Sequence, residues 1–248
     1  MQHNIPAGEK DMKDTDSDWA EIAATEPYFG VLTDPAYLRG NINDEALERF
    51  WESGRRDIEW QLEILESQYG AFKPRSAIDF GCGVGRLTRM MATVAEKVYG
   101  IDVAPGMLEI ARKNAPQNTI YTDQVPDVEV DWINSLIVFQ HIHPSRGTKI
   151  IADLVAKLCS GGAITLHVTI GREMGICRPQ DDGAEVIRWD GEHYRPLIFN
   201  APAGGMTMYD YDLGQLMVIL NKAGIHRLTV QHTNHGGHYG VILIGKKA

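Results

Sequence analysis

In the run Ala77-Ile-Asp-Phe-Gly-Cys-Gly-Val-Gly-Arg-Leu-Thr88, Gly81, Gly83 and Gly85 stand two apart, directly after an apolar stretch. Glycine is entropically costly to order, and it is favoured where a ligand must approach the main chain closely. At the turn from a first strand into a first helix, such a cluster is the usual anchor for a nucleotide-like ligand. Asp102 closes the next apolar run, and a carboxylate there can accept hydrogen bonds from both hydroxyls of a ribose. A dinucleotide fingerprint, G-x-G-x-x-G, needs glycine at position 86. This chain has Arg86, which weakens a nicotinamide reading. The third chemical element is Phe139-Gln-His-Ile-His-Pro144, where His141 and His143 share a face if a strand runs through them. An imidazole titrates near neutrality and suits general-base work, with a structural role in the turn as the competing reading.

Asp79-x-Gly81-x-Gly83-x-Gly85 resembles the first motif of class I S-adenosylmethionine-dependent methyltransferases. Val98-Tyr-Gly-Ile-Asp-Val-Ala-Pro-Gly-Met107 is similar to that family's second strand and its acidic end. The resemblance covers about residues 74–170, and the closing helix and strand pair in outline; residues 1–73 and 171–208 carry none of the common motifs. It implies S-adenosylmethionine as cofactor and S-adenosylhomocysteine as product. It also implies roles for residues. Asp79 would offset the ammonium of the methionine end, Val103 and Met107 would line the adenine, Asp123 would accept from its exocyclic amine, and Gln140 would lie near the methionine part. Cys82, a small filler, and Arg86 complete the cofactor-binding turn. Helix or loop capping stays open as an alternative for Asp79, Asp102 and Asp123.

These residues need a scaffold, and the pattern supplies one. Short apolar strands at Ala77–Phe80, Val98–Ile101, Thr119–Tyr121, Trp132–Phe139 and Ala163–Ile170 alternate with helical stretches. Those helices are predicted at Arg86–Val94, from Pro105 to about Asn114, and from Pro144 to the pair Gly161-Gly162. Such alternation predicts a doubly wound α/β fold with a mostly parallel sheet. A helix over Asp210–Ala223 and strands at Arg227–Gln231 and Tyr239–Ile244 close it. The short turn between those two strands predicts an antiparallel edge pair, and the resemblance implies seven strands in all. A long helix is expected from Asn43 to Gly70 within an N-terminal helical cover, residues 19–73. Residues 1–18 read as a flexible tail, 74–248 as the methyltransferase domain, and 171–208 as a substrate-side insertion with a hairpin.

The chain has 248 residues and a net charge of −9, without a basic run, which argues against a nucleic-acid partner. Three scattered cysteines form neither a disulfide framework nor a zinc pattern. His232, His235 and His238 flank a turn with no carboxylate completing a metal set, so no metal is expected. The polar start and the absence of a long apolar run predict a cytoplasmic protein without a membrane span. The cover and the insertion sit where this family builds acceptor pockets. Tyr28, Phe29, Trp51, Arg55, Trp189 and Tyr194 are the candidate acceptor residues, with core packing or a solvated helix face as the alternative. The expected function is methyl transfer to an oxygen or nitrogen of a small or sugar-like molecule. A non-catalytic cofactor-binding protein and a nicotinamide-dependent oxidoreductase are the alternatives.

Overall fold

The computed structural model describes residues 15–113, 115–173 and 208–248. The described residues open with α1 (Thr15–Thr25), α2 (Pro27–Val31) and a 3-10 turn at Pro35–Tyr37. The first of these begins inside the segment read as tail. Then comes α3 (Asp44–Tyr69), whose ends follow from single residues. The Asn43 side chain accepts the Ala46 N–H at 2.9 Å, and Gly70, at φ 79°, takes the left-handed turn that stops the helix. Ala46, Phe50, Gly54, Ile58, Gln61 and Leu65 form its buried stripe at helical spacing.

The strand and helix alternation follows as β1 (Ser76–Phe80), α4 (Thr88–Met91), β2 (Lys97–Ile101), α5 (Pro105–Lys113), β3 (Thr119–Thr122), β4 (Val130–Ser135), α6 (Pro144–Ala156) and β5 (Leu158–Arg172). Beyond residue 208 come α7 (Leu213–Lys222), β6 (Leu228–His235) and β7 (His238–Lys246). The seven strands pair in the order β3-β2-β1-β4-β5-β7-β6. All pairings up to β5 are parallel, and β7 is antiparallel to both of its neighbours in the terminal pair. This is the mostly parallel seven-stranded sheet that the pattern and the resemblance imply. Alternation within each strand divides the core. Ile78, Ile133, Ile164 and Leu166 pack with α6 and α7 on one face, and Ala77, Val98, Trp132 and Ile244 pack with α3 on the other.

Three local expectations change. The helix predicted over Arg86–Val94 shrinks to Thr88–Met91, because the glycine turn still runs through residues 85–87. β4 stops at Ser135 rather than Phe139, and Phe139–His141 form a 3-10 turn. The sheet ends there because Ile137 adopts φ 61°, a left-handed conformation that breaks strand geometry. Finally, β5 absorbs Gly161-Gly162. Gly161 N–H donates to the Lys247 carbonyl at 3.0 Å, and the Gly162 carbonyl accepts from Lys247 at 2.8 Å, so both bond the chain end instead of capping α6.

Candidate functional site

The carboxyl ends of β1, β2 and β4 lie side by side, and the residues that follow them line a cavity of about 660 Å³. The glycine turn forms one wall, with Gly81 and Gly83 at φ 74° and 53°. The amides of Gly81 and Cys82 both donate to the Ile101 carbonyl, at 2.7 and 2.9 Å, folding the turn against β2. A Cβ at Gly81 would lie 2.3 Å from the Val138 side chain, so that position needs glycine for space as well as for conformation.

Asp102 stands over this turn. Its Oδ2 accepts the Gly83 N–H at 2.8 Å and its Oδ1 accepts the Ala104 N–H at 2.9 Å. Two main-chain donors therefore fix the carboxylate in the cavity wall. Burial pushes its pKa up, the Ala104 and Gly83 amides oppose the rise, and the Asp16 carboxylate adds to it. Val103 and Met107 continue this wall, with Asp123 and Val125 beyond β3. The opposite wall is apolar, formed by Leu136, Ile137 and Val138 after β4, by Ile142 before α6 and by Ile150 within it. The left-handed Ile137 is rare for a β-branched residue, and strain of this kind, about 1–3 kcal/mol, clusters at functional sites.

Of the residues singled out from the sequence, Gly81, Gly83, Asp102, Val103, Met107, Asp123 and His141 come together around this cavity. Others stand behind it. Asp79 is 1 % exposed and lies under the turn. Its two oxygens accept from Thr88 Oγ1 at 2.6 Å and Asn134 Nδ2 at 2.9 Å. The network runs on through Thr165, whose hydroxyl donates to Asn134 Oδ1 and accepts from Trp132 Nε1. Asp79 thus ties β1 to β4, β5 and α4, while its burial pushes the pKa up. Cys82 packs against Tyr121, and Gly85, at φ 88°, lies under the Tyr121 hydroxyl. Arg86 turns toward α3, donating to Asp57 at 2.6 Å and Ser53 at 3.1 Å.

The two histidines separate because the strand ends early. His141 lines the cavity, with its ring set edge-on to Trp19 at 4.9 Å and its Nε2 3.2 Å from Gln140 Nε2. Gln140 is buried behind it. His143 is the N-cap of α6, its Nδ1 accepting the Ser145 N–H at 3.2 Å.

Tyr28, Phe29 and Trp51 pack, partly buried, against the cluster of Tyr37, Ala46 and Phe50 rather than lining the cavity. Tyr28 meets Phe50 and Trp51 edge-on, and Arg89 lies over the Trp51 ring at 4.3 Å. Arg55 pairs with Glu52 and Glu59 on the exposed face of α3. Trp189 and Tyr194 lie outside the described residues. The cavity instead takes Thr15 and Asp16, from the segment read as tail, with Trp19 from the same helix α1, Gly30 and Val31 from α2, and Arg146 from α6. The aromatic, glycine-bearing stretch from Trp19 is the sequence signal for Trp19, Gly30 and Val31; Thr15 and Asp16 precede it, in the segment read as tail. It marked the segment but not which of its side chains face inward.

Among the described residues, no cluster of three or more His, Cys, Asp or Glu side chains could hold a metal ion. No described helix is long and apolar enough to cross a membrane.

The chain is similar to known methyltransferases in sequence and in fold. The family described as a methyltransferase domain matches residues 78–166. A ribosomal protein L11 methyltransferase from Paraburkholderia phytofirmans is 34% identical over 140 residues, covering 53% of this chain and 41% of the relative. The chain therefore spans well under two thirds of that relative's length. A magnesium protoporphyrin IX methyltransferase from Synechocystis, solved with S-adenosylmethionine bound, superposes with a TM-score of 0.61 at 15% identity, covering 96% of this chain and 99% of the other. An N-methyltransferase from Bradyrhizobium japonicum, solved with S-adenosylhomocysteine, gives 0.58 at 13% identity, covering 95% and 99%. At these identities the two likenesses establish the fold.

Proposed function

We propose that this chain, whose residues 78–166 match a methyltransferase domain, is a class I methyltransferase that binds S-adenosylmethionine in the cavity and methylates an oxygen or nitrogen of a small or sugar-like molecule. The observation that carries the reading is Asp102, held by two amides where a ribose diol would meet it and flanked by the bare backbone of the glycine turn. Asp102 would serve the ribose of a nicotinamide cofactor equally, and what disfavours that reading is Arg86 in place of the third fingerprint glycine.

The bound cofactor supplies a methyl group on an already activated sulfonium. The protein's contribution is alignment, exclusion of water and, for an oxygen acceptor, a base. Gly81 and Gly83 let the main chain approach the cofactor. Asp102 receives the ribose hydroxyls, Val103 and Met107 give the adenine an apolar bed, and Asp123 accepts from its amine. Leu136, Ile137, Val138 and Trp19 keep the opposite side dry. His141, which lines the cavity, is the base for an oxygen acceptor. A cytoplasmic setting goes with this reading, supported by few and scattered cysteines.

A protein acceptor is the second reading, favoured by the similarity to a ribosomal protein L11 methyltransferase. Calorimetric titration with S-adenosylmethionine, S-adenosylhomocysteine and NAD tests the foundation of both. Saturable binding of the two sulfur compounds at roughly 1–100 micromolar, with none for NAD, is expected. Binding of NAD alone, or of nothing, would overturn the function.

A further inference from the structure

The N-terminal helix does more than pack on the fold. α1 reaches the cavity through Thr15, Asp16 and Trp19, and its attachments there are specific. Thr15 Oγ1 donates to the His141 carbonyl at 2.8 Å, and the Trp19 ring rests edge-on against the His141 ring. The most selective attachment joins residues 130 positions apart in sequence. Arg146 Nη1 and Nη2 donate to Asp16 Oδ1 and Oδ2, both at 2.8 Å, a bidentate fork between α1 and the first turn of α6. Both side chains line the cavity. They also remain partly open to solvent, with 49% of the Arg146 side chain and 31% of the Asp16 side chain exposed. Such a pair can part without disturbing the sheet.

The fork also settles a charge conflict. Asp16 and Asp102 are two carboxylates lining one cavity, close enough to interact, and Arg146 supplies the cation that holds Asp16 in place. Its removal would take positive charge away from Asp16, whose carboxylate acts on the group placed to bind ribose.

We infer that Asp16 and Arg146 form a clasp that keeps α1 closed over the bound cofactor and sets how long the cofactor stays. The inference rests on reading the cavity as the S-adenosylmethionine site. It makes both side chains positioning residues of that site, acting through α1 rather than through the transferred methyl.

The test is stopped-flow displacement of S-adenosylhomocysteine from the full chain, comparing wild type with D16R, R146D and the D16R/R146D double variant. Each single variant should release S-adenosylhomocysteine about three- to tenfold faster, as loss of a bidentate charge-assisted pair implies. The double variant rebuilds the pair with its signs exchanged and should return to within about twofold of wild type. Unchanged release in the single variants would overturn the clasp. So would faster release that the double variant fails to rescue, since each side chain would then act alone. Failure of wild type to bind S-adenosylhomocysteine at all would be a separate result, defeating the methyltransferase reading itself.

Discussion

Asp102, partly buried, and His167, fully buried, show how differently two titratable side chains can serve the same sheet. Asp102 faces the cavity with both oxygens on main-chain amides, so truncation removes the ribose acceptor and loosens the glycine turn together. Asp102→Ala should weaken S-adenosylhomocysteine binding at least about tenfold, in line with roughly 1.5–3 kcal/mol for a charge-assisted bond, as read by calorimetry. His167 sits fully buried on β5, where Gly240 leaves room for its ring, with Nε2 3.0 Å from Thr233 Oγ1. Burial, with His235 adding to it, pushes its pKa down to about 3. The folded state therefore keeps this imidazole neutral, while the unfolded chain takes up a proton below about pH 6.5. Between those values the unfolded state binds more protons, so stability falls as pH falls, by about 1.4 kcal/mol per unit from this group. Urea unfolding at pH 7, 6 and 5 should show a shallower loss for His167→Gln than for wild type; parallel slopes would remove His167 as the source. At this scale the glycine turn and Asp102 were legible because their spacing is local. The different fate of Asp79 was not, since the Asn134 and Thr165 that enclose its network come from other strands.

At the scale of the element, α3 shows the sequence at its most legible. An Asn cap, an apolar stripe and a terminal Gly set its ends and its buried face. Its interior Gly54 is the exception. Replacing glycine by alanine inside a helix ordinarily stabilises by about 1 kcal/mol. Here a Cβ would lie 2.5 Å from the Arg86 main-chain carbonyl, which the glycine turn holds in place. Gly54→Ala should therefore destabilise by about 1–3 kcal/mol in chemical denaturation, a reversal of sign that propensity alone does not give. A more stable variant would show that the turn yields. β4 is the opposite case. Its apolar run continues past Ser135 through Phe139, and periodicity carries no sign that Ile137 turns left-handed. That single residue separates His141, in the cavity, from His143, on the cap of α6.

At the scale of the whole molecule, the cavity is assembled from α1 and α2, from the ends of β1 and β2, and from the loops around β3 and β4. A ligand seated there binds only the folded chain, so it should stabilise every one of these parts together. S-adenosylhomocysteine at about one hundred times its dissociation constant should contribute about 2.7 kcal/mol and raise the melting temperature by roughly 5–10 °C. NAD at the same concentration should leave it in place. Equal shifts from both ligands would argue against a selective adenosine-and-methionine site.

Within the chain, the sequence alone determined what depends on near neighbours: the strand and helix alternation, the capped α3, the glycine turn and the acid that closes the second strand. Local spacing carries these because turns, caps and amphipathic faces are satisfied within a few residues. Tertiary structure decided which side chains share a space. It drew Asp79 and Arg86 away from the cavity, packed Tyr28 and Trp51 among themselves, and brought Asp16 to Arg146 across 130 positions. Those outcomes depend on the order in which strands pair and on how helices lie across them, and no local pattern encodes a contact between segments so far apart.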